Sequence, residues 1–279
     1  MNTGESASEL RRAVLSVIVT HDIDITPHDR GVVLAGGTLL AWDQLAQVCG
    51  SRAPMSPAAR HRIAALLRIH DHLARLDHPS TRVQQGRTAR DVLRESAEIM
   101  ALPRGHVHHL GPAWQHREVA GRALSLGLGL RTTEDRPPLP VPHSLLQRYG
   151  LSAEDCWPRA TVHLERHATV AAELLTRGGR YAGTLRPVAG SDVLTLLAGS
   201  GLRRALAAGD GSGMRAVAVP ARAQGWYDLT RVDPAYVALA WQLTDEVDRG
   251  VRVPLLVTAD EVVSASIRGD LTRPAVETR

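Results

Sequence analysis

At 279 residues the chain is long enough for one large domain or two small ones, and its 44% apolar content is ordinary for a globular protein. No window approaches the roughly 18 consecutive apolar residues that span a bilayer, and all 33 basic residues are Arg. Without Lys there is no amine for a Walker A loop or a Schiff base, so P-loop NTPases, Lys aldolases, pyridoxal enzymes, ordinary protein kinases and Ser–Lys hydrolases are excluded together.

The formal charge of +4 is mildly basic, and Arg is spread along the chain rather than gathered in one segment. The first ten residues are polar and carry Glu5 and Glu9, unlike the basic-then-apolar order of a secretory signal, so a cytoplasmic location is expected. Cys49 and Cys156 are too few and too far apart for a disulfide framework or a zinc ribbon, and read as free thiols.

In chain order, Ser8 to Val19 reads as an apolar-faced helix, and Val32 to Ala41 as two short strands turned at Gly36 and Gly37. A helix follows from Asp43. Ser56 is placed to cap and Pro57 to open the next helix, whose apolar stripe is Ile63, Leu66, Leu67, His70, Leu73 and Ala74. Further helices are expected over Ala89 to Ala101 and from Pro112 into Leu126. Pro137, Pro138, Pro140 and Pro142 remove backbone donors and favour an extended course. That run divides a helix-rich region with a short hairpin, 1–130, from an α+β region, 144–279, through a linker at 131–143.

Beyond the prolines, Ser152 can cap a short turn, and Thr161 to Arg177 is amphipathic and ended by Gly178 and Gly179. Thr184 to Val188 reads as a strand, with Ser191 capping a helix that reaches Ala207. Strands at Arg215 to Pro220 and Trp226 to Leu229 precede a helix capped by Asp233 and opened by Pro234. Val253 to Val257 is a further strand, and Thr258 with Glu261 has capping-box spacing that predicts a last helix. The tail from Gly269 reads as loose. This order predicts an α+β fold, with a helix-rich N-terminal half and a mixed β-sheet covered by helices in the C-terminal half.

Histidine is the most suggestive residue for chemistry. Thirteen are present, and His106, His108, His109 and His116 fall within eleven residues. If His106 to His109 is extended, His106 and His108 point to one side, and His116 can return as a third ligand to zinc or another divalent metal. No Asp or Glu lies among them, and a polar loop is the plainer account. His163 and His167 are one helical turn apart, but Glu165 between them does not follow the zincin order. His70 and His72 diverge by about 200° on a helix, so they cannot chelate.

Other motifs fail on order or spacing. Gly209, Gly211 and Gly213 follow a helix and precede a strand, the reverse of a phosphate loop, while Ala189, Gly190 and Ser191 have the right order but lack repeated glycines. No serine occupies a G-x-S-x-G elbow. The segment from Asp43 into the Ser56 to Leu76 helix has the rough shape of a helix-turn-helix, which makes Arg60, Arg62 and Arg68 candidate DNA contacts, although its connection is long. Trp226, Tyr227, Tyr236 and Trp241 gather four of the nine aromatic residues. Tyr236 and Trp241 lie about 140° apart on a helix, so only one faces the core, and Trp226, Tyr236 and Trp241 become candidate partner contacts.

The expected function is that of a cytoplasmic regulatory or protein-interaction protein without catalytic activity or cofactor. Another protein or a second copy is the expected partner, nucleic acid the alternative, and no membrane is involved. A His-ligated metal-dependent hydrolase or lyase is the remaining alternative.

Overall fold

The computed structural model describes residues 3–34, 37–78, 86–133, 137–177 and 183–264. Gly36, Gly178, Gly179 and the tail from Gly269, all given roles above, lie outside them. Among the described residues, helices and antiparallel sheets form an α+β fold. Every described strand pairing is antiparallel, so the sheet expected to be mixed is not. No described helix is long and apolar enough to cross a membrane.

The N-terminal layer consists of α1 (Thr3–His21), a hairpin sheet of β1 (Ile25–His28), β2 (Gly31–Leu34) and β3 (Leu39–Ala41), then α2 (Trp42–Cys49) and α3 (Pro57–Asp77). Ser56 accepts a hydrogen bond from the Ala59 N–H with Pro57 in the first turn, as the sequence predicts. α3 is surrounded: residues 62–67, 69 and 70 are all buried.

One predicted helix is cut short by a strand and another is replaced by strands. α4 (Ala89–Ser96), opened by a reciprocal Thr88 and Asp91 capping box, stops at Ser96, and Ala97–Pro103 forms β4. The segment expected to be helical from Pro112 is a 3₁₀ turn (Gly111–Ala113), β5 (His116–Val119) and the start of β6 (Leu124–Leu130). β6 takes β4 along one edge, from Ala97 opposite Leu130 to Pro103 opposite Leu124, and β5 along the other. Both β4 and β6 are buried almost throughout, so neither has the polar alternation that marks a strand with one wet face.

The proline run is not a free linker. Leu139–Pro140 forms β7 on β6, Trp114 bridges to Pro142, and residues 139–142 are buried. Pro fits here because an edge strand tolerates a missing donor. After α5 (His143–Arg148), α6 runs unbroken over Ala153–Thr176 with Pro158 inside it, where a turn and a separate helix were expected. Its first half packs with α4, β4 and β6, and its second with the C-terminal elements. The cores therefore draw on both sides of the proline run.

After β8 (Thr184–Leu185), Asp192 rather than Ser191 caps α7 (Val193–Ala198), and Gly199 breaks the expected single helix before α8 (Ser200–Ala208). A Cβ on Gly199 would stand 2.3 Å from the Ala168 Cβ, so glycine lets this junction sit against α6. Glu165 of α6 then accepts hydrogen bonds from Ser200 N–H, Ser200 Oγ–H and Gly201 N–H. β9 (Met214–Ala221), β10 (Gln224–Trp226), β11 (Leu255–Thr258) and β12 (Val262–Ser264) join β8 in the order β12-β11-β9-β10-β8, with α9 (Pro234–Leu243) on β9. The helix predicted after Thr258 is β12. Thr258 Oγ1 does accept from Glu261 N–H, but the turn reverses the chain into a hairpin.

Candidate functional site

The segment after β4 turns instead of extending. His106 N–H donates to the Pro103 carbonyl and His109 N–H to the His106 carbonyl. Each turn also fixes a ring. His106 Nδ1 accepts the His108 N–H at 3.1 Å, and His109 Nδ1 accepts the Gly111 N–H at 3.0 Å. A nitrogen that accepts a backbone proton carries none, so both rings are protonated on Nε2. His109 Nε2–H then donates to Ser125 Oγ at 2.9 Å. A catalytic base must accept from its serine, and this pair runs the other way.

His116 does not join His106 and His108. His61, His106 and His108 form one ring group, with His108 lying 6.1 Å from His61 and 5.4 Å from His106. His116 belongs to another: it stacks on Trp114 at 5.4 Å, meets His109 edge-on at 4.7 Å, and its Nδ1 bonds the Trp114 carbonyl. Among the described residues no group of three or more His, Cys, Asp and Glu is placed to hold a metal ion. The expected three-histidine ligand set is therefore not assembled.

The imidazoles of His106, His108 and His109 are held neutral. Burial first, and then the Arg222 guanidinium, brings the His106 pKa to about 2 and the His108 pKa to about 3. Burial and then His116 bring His109 to about 4. His70, in the α3 stripe, is brought to about 4 by burial and then Arg148.

Arg222, buried beside this loop, donates to Asp192 at 2.6 Å. The same carboxylate caps α7 by accepting from Thr195 N–H, and Thr195 Oγ1 accepts the Ala101 N–H of β4. This chain of bonds ties β4, α7 and the end of β9 together. Thirty residues separate Arg222 from Asp192, so no local pattern announces the pair.

The candidate DNA contacts divide in the same manner. Arg62 is buried, donating from Nε to the Val107 carbonyl and from a terminal nitrogen to the Val48 carbonyl, both at 3.3 Å. It therefore holds α2 and the histidine turn to α3. Arg60 and Arg68 are half-buried. A helix enclosed along its middle cannot lie in a major groove, which removes the recognition-helix geometry. In the Ala189 to Ser191 turn, the Ser191 N–H is taken by the Val188 carbonyl, and Asp192 takes the Thr195 N–H of the helix that follows. His167 Nδ1 bonds Ser191 Oγ at 2.9 Å.

The aromatic candidates meet at α9. Trp226 of β10 and Tyr236 pack edge-to-face at 5.7 Å. Trp241 turns inward, its indole N–H donating to the Gly250 carbonyl and its ring covered by the Arg249 guanidinium at 4.4 Å. Tyr236 faces outward, as the 140° separation predicts. The sequence reading missed the leucines beside it. Leu239 is 55% exposed, Leu243 80% and, in the turn before the helix, Leu229 85%. Val237 is the buried residue of α9, and the helix has no charged side chain. That absence of charge was the available signal, since a surface helix ordinarily carries a charged face.

No protein-family model, curated protein or solved structure matches the chain.

Proposed function

We propose that this chain is a non-catalytic regulatory protein of the cytoplasm that acts by docking another protein on the exposed face of α9. The observation that carries this reading is an uncharged helix with Val237 as its buried anchor and Tyr236, Leu239 and Leu243 on one stripe in water. Leaving contiguous apolar surface wet is unfavourable, and proteins that keep it use it for association. The groups suited to acid–base chemistry support the same reading. His109 donates to Ser125, His106 supports the histidine turn, and Arg62 and Arg222 bind carbonyls or a carboxylate of the scaffold. Cys49 and Cys156 are buried free thiols, which suits a reducing compartment.

A photo-crosslinking residue at Leu239, with the same residue at exposed Val162 on α6 as control, tests the proposal in cells expressing the full chain. Discrete adducts from position 239 and none from position 162 are expected. Adducts equal at both positions, or none at 239, overturn it.

A further inference from the structure

We infer that the partner of the α9 face is a basic, apolar-faced helical segment of a different protein, not a second copy of this chain. The inference rests on the docking role proposed for α9 and adds the chemistry of what docks. Tyr236, Leu239 and Leu243 follow a spacing of three and four, so one stripe about 10 Å long faces outward. A helix with apolar residues at matching intervals lies along such a stripe.

The chain segment that carries it is acidic. Between Asp228 and Arg249 there are five carboxylates and two guanidinium groups, a net of −3 in a chain whose total is +4. Both arginines are already engaged, Arg231 with Asp228 at 3.6 Å and Arg249 with Glu246 at 3.8 Å and with the Trp241 ring. Asp245, Glu246 and Asp248 are exposed just beyond the C-terminal end of α9, whose Thr244 and Gln242 carbonyls accept from the Arg249 guanidinium. Asp245 and Asp248 are unpaired among the described residues. Basic side chains of a partner would seat at this end while its apolar residues cover the stripe.

A second copy meets the opposite situation. In an antiparallel two-fold pairing of α9, the Asp245 to Asp248 end of each copy faces the Asp228 and Asp233 end of the other. In a parallel pairing it faces itself. Either arrangement sets carboxylate against carboxylate, and like charges across an interface oppose association.

Two synthetic helical peptides test this by fluorescence anisotropy with the full chain. They share one leucine face and carry either Arg or Glu on the other. The Arg peptide is expected to bind at least about tenfold more tightly than the Glu peptide and to weaken with salt. Asp245→Asn with Asp248→Asn should weaken the Arg peptide by about tenfold and leave the Glu peptide no weaker. Leu239→Asp with Leu243→Asp should abolish both. Equal binding of the two peptides overturns the charge inference and leaves the docking face standing, whereas binding of neither overturns both. A dimer in analytical ultracentrifugation that the Leu239→Asp and Leu243→Asp variant dissolves overturns the inference in favour of a second copy.

Discussion

Acidification from pH 7 to pH 5 is expected to destabilise the protein by several kcal/mol, because four imidazoles are buried in the neutral form. His70, His106, His108 and His109 have folded-state pKa values of about 4, 2, 3 and 4, against about 6.5 in an unfolded chain. Between those limits the unfolded state binds more protons. Stability therefore falls as pH drops through about 6.5 and levels off only below the folded values. At pH 5 each ring lies about 1.5 pH units below its unfolded pKa, at about 1.4 kcal/mol per unit, so each costs about 2 kcal/mol. Four rings together cost at most about 8 kcal/mol, comparable to the roughly 5–15 kcal/mol that holds a domain folded. Urea titrations across this range, followed by tryptophan fluorescence, give the proton uptake on unfolding, expected to be about four near pH 5. His106→Asn keeps an oxygen where Nδ1 accepts the His108 N–H and removes one titrating ring. Uptake in that variant should drop to about three. An unchanged slope in His106→Asn, or negligible uptake in the parent protein, would refute neutral buried imidazoles as the source of acid sensitivity.

Gly127→Ala should cost about 1–3 kcal/mol by overpacking, since a Cβ at that position would stand 2.3 Å from the buried Trp114 ring; denaturant midpoints at pH 7 check it. Arg222→Met leaves Asp192 without its 2.6 Å partner and should cost about 3–5 kcal/mol. Adding Asp192→Asn should restore part of that loss, and a double variant no more stable than the single one would show that the pair does not act through charge. Leu239→Asp with Leu243→Asp alters side chains 55% and 80% exposed, so thermal unfolding should move by no more than about 0.5 kcal/mol per site. A loss of several kcal/mol would place the stripe inside the fold and remove it as a docking surface.

The α+β class and the helix starts at Ser56 with Pro57 and Asp233 with Pro234 were legible, because a cap and a first-turn proline act within a few residues. β4 and β6 were not. Ala97–Pro103 and Leu124–Leu130 are covered on both faces, so their apolar runs lack the alternation that separates a strand from a buried helix. At Thr258 the local bond was foreseen and its consequence was not, because pairing of β12 with β11 decides which way the chain continues. Arg62 shows the same limit at a site. Guanidinium groups on a helix ordinarily mark the solvent side, but two backbone carbonyls distant in sequence take this one into the interior. The histidine run gave the right neighbourhood and the wrong geometry, since local N–H donors set each ring's tautomer and a turn separates His116 from His106 and His108.

The buried polar groups and the exposed helix are mechanically continuous. Arg222 follows the last residue of β9, and its N–H donates to the Asp248 carbonyl; Gly250 and Val251 donate in turn to the Pro220 and Val219 carbonyls of β9. The segment leaving α9 is thus laced to the strand end from which Arg222 reaches Asp192, α7 and, through Thr195, the edge of β4. Val237 and the Trp241 indole fasten the inner side of α9 to the same region. A recognition surface on a loop must lose conformational freedom when it binds, whereas one fixed at both its inner face and its exit loses little and keeps more of the contact energy as affinity. Buried Arg222, through Asp192, helps to fix the strand end beside α9, which is what the proposed docking role requires.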